Sequence, residues 1–231
     1  MGYIIAISAL LIFYVAAIYM MKYVRPRKAL NFVFIALVYI PYVSLCTIVY
    51  SDVGFYDWNF QNTLPFANVS PFMFSLMPIL LILPKKAKEY VFLLISLLSV
   101  GMLVSAVLSC AYNAAIDYKF HFHFLLDYVA HIFLSLFGIH LIRSKQVEFN
   151  NKNCLISASL IFSVATLMVV LNLIFDTSFF GLSLRGKHSI YNNVLVDNSY
   201  LSALLYYIGL GAVLLMGYVL SKKFSEKPYI D

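Results

Sequence analysis

The sequence predicts an all-α membrane protein: a polytopic bundle of seven transmembrane helices, N-terminus outside and C-terminus in the cytoplasm. Three observations predict it. Hydrophobic residues make up 63% of the 231-residue chain and charged residues only 11%, against roughly 45–50% and 25% in a soluble domain. Seven stretches approach or exceed the length needed to cross a bilayer, about 20 mainly apolar residues. Of the 16 Lys and Arg, 13 fall in alternate gaps between those stretches, at the end of the first one (Lys22) or after the last one, as the positive-inside rule requires. A chain of this length cannot hide so much apolar surface against itself, so the remainder faces lipid.

The spans run, in order, over 2–24, 29–50, 66–83, 90–113, 122–142, 154–175 and 200–221. The first has no basic residue before its apolar run, and its positive cluster (Lys22, Arg25, Arg27, Lys28) comes after it. That arrangement favours a retained span over a cleaved signal peptide. The third is the shortest and carries Pro71 and Pro78. Proline removes a helical hydrogen bond, frees a carbonyl and can kink the helix, yet is tolerated in membrane bundles. The fourth reaches its outer end with Ser105, Ser109 and Asn113, and the sixth with Asn172 and Asp176, four residues apart on one face. The seventh carries Gly209, Gly211 and Gly217, small residues that let helices approach closely.

The chain is one domain, 1–231. Its basic segments 25–28, 84–89 and 143–153 and the tail 222–231 are expected in the cytoplasm. Segments 51–65, 114–121 and 176–199 are expected outside. The first of these holds Phe55, Tyr56, Trp58, Phe60 and Asn62, suited to an interfacial collar or a lid. The net charge of +6 is spread over short loops, which excludes a nucleic-acid-binding stripe. No internal repeat supports an inverted-repeat transporter. Cys46, Cys110 and Cys154 lack metal-site spacing. Cys46 and Cys110 both lie near outer helix ends, which leaves a disulfide open in an oxidising compartment.

Polar groups inside spans are costly, and so informative. Asp127 is the one acidic residue well inside a span, four residues from both His123 and His131. A four-residue step turns a helix by about 400°, so the three form one stripe. His131 lies about 13 Å below the outer end of its span, near the midplane. His121 stands at the outer mouth and His140 near the cytoplasmic end. Three readings are open: Asp127 and His131 hold the bundle together, they line a functional cavity, or His123, Asp127 and His131 bind a metal. The metal reading lacks a further central ligand from another span, so no metal or other cofactor is assigned. Asn68, Ser70, Asn172 and Asp176 lie at outer depths, which suggests a polar cavity opening outward.

Three segments carry a family resemblance. The stretch Phe120-His121-Phe122-His123-Phe124, with His131 ten residues after His121, is one. Asn172-Leu173-Ile174-Phe175-Asp176-Thr177-Ser178-Phe179-Phe180-Gly181-Leu182 is the second, and Leu64-Pro65-Phe66 opening span three is the third. Together they resemble the YwaF-like bacterial integral membrane family, which is related to animal transmembrane protein 164. In that branch the resemblance implies lipid acyl transfer by a cysteine in span three and a histidine in span five. The histidine corresponds to His131. The family's His and Cys of span three fall on Ala67 and Val69, neither of them a nucleophile, and Ser70 lies one position further on.

The resulting expectation is a multi-pass protein of the bacterial plasma membrane. Its outward-facing polar cavity, with Asn68, His121, His123, Asp127, Asn172 and Asp176, is expected to bind membrane lipids or a membrane protein partner without catalysis. One alternative is a lipid acyltransferase or hydrolase with Ser70 as nucleophile and His131 as base. A small-solute transporter or capture subunit is the other.

Overall fold

The computed structural model describes residues 29–51, 68–101, 122–175, 177, 179–182 and 199–226, with Ile12, Val15, Ala16 and Tyr19 from the first span. The side chains at 48–51, 122–125, 181, 199 and 202 lie outside that description. The described residues form six bounded α-helices and one 3-10 turn, with no strand. These are α1 (Ala29–Ser51), α2 (Val69–Ile82), α3 (Lys85–Gly101), α4 (Phe122–Arg143), α5 (Asn151–Phe175), η1 (Phe179–Gly181) and α6 (Ser199–Ser225). They correspond to predicted spans two to seven. Ile12, Val15, Ala16 and Tyr19 are helical as well. Four helices contain segments long and apolar enough to cross a membrane: α1, α4, α5 and α6. Large apolar side chains cover their outer faces, including Phe32, Ile40, Leu155, Ile174, Leu204 and Leu215. In water such a surface would drive association; facing lipid it is at equilibrium. The helices are those of an integral membrane protein in length and composition.

The centre of the bundle is α3, which packs against α4, α5 and α6. Every residue from Phe92 to Gly101 is buried. Small residues make this approach possible. Gly101 lies against the backbone of Val213, and Gly217 against the backbone of Leu97, so α3 and α6 run antiparallel at backbone contact. On the other side Gly138 of α4 faces Ser96 and Ser99. Ser135 donates to its own helix at the His131 carbonyl (2.9 Å) and stands 3.3 Å from the Ser99 carbonyl.

The helix starts at Lys85, where sequence placed a loop through residue 89. Pro84 begins it: its carbonyl accepts from Lys88 N at 2.9 Å, and proline favours a helix start because it has no N–H to lose. Lys85 and Lys86 point outward from this first turn. Basic side chains are tolerated there because their long stems carry the charge out of the apolar layer. Only Leu83 and Pro84 separate α2 from α3, so the turn between them is tight, although the two helices touch little beyond it.

Basic turns gather at one end of the bundle. There α4 ends in a Schellman motif: Gln146 N donates to Leu141 O and Lys145 N to Ile142 O, both at 3.1 Å. Lys145 takes the left-handed position (φ 51°). Asn150 then caps α5 by accepting from Asn153 N at 2.8 Å, the usual role of an N-cap side chain. Gln146 ties this turn to the start of α1. Asn31 Nδ2 donates to its Oε1 at 2.7 Å, and its Nε2 donates back to Asn31 Oδ1 at 3.2 Å and to Ser144 at 2.8 Å. Arg143 lies over the Phe224 ring of α6, and Tyr218 of α6 donates to Asn151.

Candidate functional site

The polar stripe of α4 lies in the half of the bundle away from this basic end. His131 and Asp127 come together within it. His131 Nδ1 is 2.8 Å from the Asp127 backbone carbonyl and 3.4 Å from its carboxylate. A carbonyl oxygen can only accept, so Nδ1 carries the proton and donates to it. In the neutral ring the lone pair is then on Nε2, the nitrogen outside the pair. The pair is part-exposed: 17% of the His131 side chain and 31% of the Asp127 side chain are accessible. A carboxylate and an imidazole lodged in an apolar helix, and reachable from its surface, are what a site for a polar group requires.

Phe74 of α2 meets His131. Its ring stands edge-on to the imidazole at 5.0 Å, and the ring of Tyr42 from α1 packs on Phe74 at 5.3 Å. The Ser75 hydroxyl donates to the Pro71 carbonyl at 2.8 Å and lies 3.4 Å from the Tyr42 hydroxyl. Cys46, one turn further along α1 and half-buried, hydrogen-bonds with Tyr42. Three helices thus meet at one level, with His131 and Asp127 on α4, Phe74 and Ser75 on α2, and Tyr42 and Cys46 on α1. Ser70 is one helical turn before Phe74, about 6 Å along the axis. It is half-buried, in the first turn of α2. The residue that α2 presents to His131 is therefore Phe74. Asn68 occupies the N-cap position of α2 in extended backbone, and its side chain makes no cap bond. Its carbonyl accepts from Phe72 N.

Asn172 has a different setting. It is buried near the end of α5 and grips the segment that follows. Its Nδ2 donates to the carbonyls of Phe179 and Leu182, each at 2.9 Å. Its Oδ1 accepts from Thr177 Oγ1 at 2.8 Å and from Phe179 N at 2.7 Å. Two donors and two acceptor positions are all a primary amide offers, so the loop occupies the whole group. Phe180, fully buried, sits in the left-handed region (φ 57°), a conformation costly for a bulky residue and kept only where the surroundings impose it. Its ring packs on Phe72 of α2 at 5.8 Å. The Asn172 loop thereby closes over the beginning of α2, the helix of Ser70 and Phe74.

The side chains of His121, His123 and Asp176, and Cys110 with its suggested link to Cys46, lie outside the described residues. His123 belongs to α4 by its backbone. Among the described residues no three His, Cys, Asp or Glu side chains are grouped to hold a metal. His140 is buried at the basic end, 3.4 Å from Gln146 and beside the Phe34 ring, far along α4 from the pair. Sequence reasoning missed Tyr42 and Ser75. A lone tyrosine and a lone serine in apolar runs carry no signal until the helices are assembled, although Pro71 and Pro78 did mark the third span as irregular. Compared with protein-family models, curated proteins and solved structures, the chain matches none of them.

Proposed function

We propose that this is a seven-span protein of the bacterial plasma membrane, N-terminus outside and C-terminus in the cytoplasm, that binds a membrane lipid at the level of His131 without catalysis. The observation that carries this reading is the part-exposed Asp127–His131 pair in a mainly apolar helix. A lipid is the molecule that offers a polar group at that depth together with chains matching the surrounding apolar faces. The gathering of Lys85, Arg143, Lys145, Lys152 and Lys222 at one end supports the orientation, because such residues concentrate on the cytoplasmic side. The resemblance to the YwaF-like family supports the bacterial membrane.

Acyl transfer through Ser70 is the weaker alternative. A nucleophile must lie within hydrogen-bond reach of its base, and α2 turns Phe74, not Ser70, to His131.

The orientation has a direct check: a reporter fused after Asp231 is expected to be active in the cytoplasm and silent outside. Lipid binding is tested by purifying the protein in mild detergent and quantifying lipid retained per chain. Asp127→Asn keeps the backbone carbonyl that holds His131 but removes the charge. It is expected to weaken retention about tenfold, the equivalent of one charge-assisted hydrogen bond. Equal lipid on wild type and Asp127→Asn would refute binding at this site.

A further inference from the structure

We infer that the outer half of the bundle holds a water-filled vestibule with a closed floor, so that the lipid at Asp127 and His131 comes from the outer leaflet and enters head group first. The leaflet assignment rests on the lipid-binding reading above; the vestibule does not.

Burial changes abruptly along α4. From 134 to 143 every residue is buried. Successive residues step by about 100°, so this stretch is covered on all sides over about 15 Å of its length. From 126 to 133 only Ala130 is buried, and the others are part-exposed. Residues 126–129 already point in four directions. Exposure of that kind differs from a lipid-facing stripe such as that of α5, where Cys154, Ser157, Ile161, Ala165, Met168 and Asn172 are buried along one face.

Helix α2 changes at the same level. Residues 68–72 are all part-exposed, whereas Met73, Phe74 and Met77 beyond them are buried. Both helices run toward the basic end, and Phe74 meets His131, so 68–72 stand level with the part-exposed half of α4. The two helices touch little. These open stretches hold Asn68, Ser70, Asp127 and His131. An ionisable side chain in a membrane faces the packed interior or water. The Asp127 side chain is 31% accessible, so it is not packed away, and water is the environment left to it. Toward the basic end the buried stretch of α3 lies against that of α4, with Gly138 on Ser96 and Ser99. Both central helices are sealed there, which closes the floor.

The test uses the full chain in lipid nanodiscs. Hydroxyl radicals made from water by an X-ray pulse are the probe, and oxidised side chains are read by mass spectrometry. Tyr128, His131 and Phe133 should be oxidised. Met77 and Phe137 in the floor should be spared, as should Met216, which is exposed on the apolar face of α6. A membrane-impermeant charged maleimide, which reacts with a thiolate in water, reports the side. Applied to intact cells, it should label Val129→Cys above the wild-type background and leave Ile139→Cys at that background.

Oxidation of Tyr128, His131 and Phe133 no greater than that of Met216 would overturn the vestibule. Oxidation of Met77 and Phe137 to the same extent would overturn the closed floor. Labelling of Val129→Cys only in inside-out vesicles would overturn its direction. A dry vestibule, with lipid retention still lost in Asp127→Asn, would sink this inference and leave the lipid-binding reading intact. A wet one, with retention unaffected by Asp127→Asn, would remove the lipid reading and the leaflet assignment and leave the vestibule.

Discussion

Gly217→Ala is expected to destabilise the bundle by about 3 kcal/mol or more, at the upper end of the range for overpacking. A Cβ at this position would overlap the carbonyl of Leu97 in the central helix. The obstacle is backbone, which no rotamer change can move, so α6 and α3 would have to separate. Gly101→Ala meets the carbonyl of Val213 in the same way and is expected to behave alike. Gly209 is the internal control, since a Cβ there meets nothing within 4 Å. Gly209→Ala should leave stability unchanged or raise it by roughly 0.5–1 kcal/mol, the helical advantage of alanine. Thermal unfolding of the three variants in one detergent provides the comparison. Equal melting of Gly209→Ala and Gly217→Ala would contradict the close α3–α6 contact.

Asn172→Ala is expected to cost about 3–5 kcal/mol, because it strands several buried polar groups together. The Phe179 N–H and the carbonyls of Phe179 and Leu182 would lose the amide that holds them. The left-handed turn at Phe180 would lose its constraint, and with it the packing of Phe180 on Phe72. Asn172→Asp is no remedy: a carboxylate oxygen would then face two carbonyls. Hydrogen exchange gives a local readout. The Phe179 amide should be protected in the wild type and exchange much faster in either variant, while amides of the buried stretch of α3 keep their protection. Unchanged exchange at Phe179 would show that the loop is held by something else.

Much of the architecture was legible in hydropathy. All six bounded helices fall where long apolar runs stand, and Asp127 and His131 meet as their four-residue spacing requires. What hydropathy could not show is which apolar face meets protein and which meets lipid, because both environments accept the same residues. The burial of α3 on all sides from Phe92 onward therefore came from assembly, as did the backbone contacts of Gly101 and Gly217. The start of α3 at Lys85 was hidden because its first turn is charged and reads as a loop. Asn172 looked like a cavity residue by depth alone. Its partners are backbone groups of Phe179 and Leu182, and a backbone acceptor leaves no mark in sequence. Ser70 drew attention as the nearest hydroxyl to a reactive position, whereas the hydroxyl beside the Phe74–His131 contact belongs to Ser75, five residues on.

The central claim, a lipid head group held at the Asp127–His131 pair, is tested most directly by an experimental structure of the full chain in lipid nanodiscs. The expected result is an ordered head group within hydrogen-bond distance of the Asp127 carboxylate, with its acyl chains running along the apolar helix faces. Asp127 and His131 sealed off by neighbouring side chains, with lipid ordered only around the outside of the bundle, would contradict it.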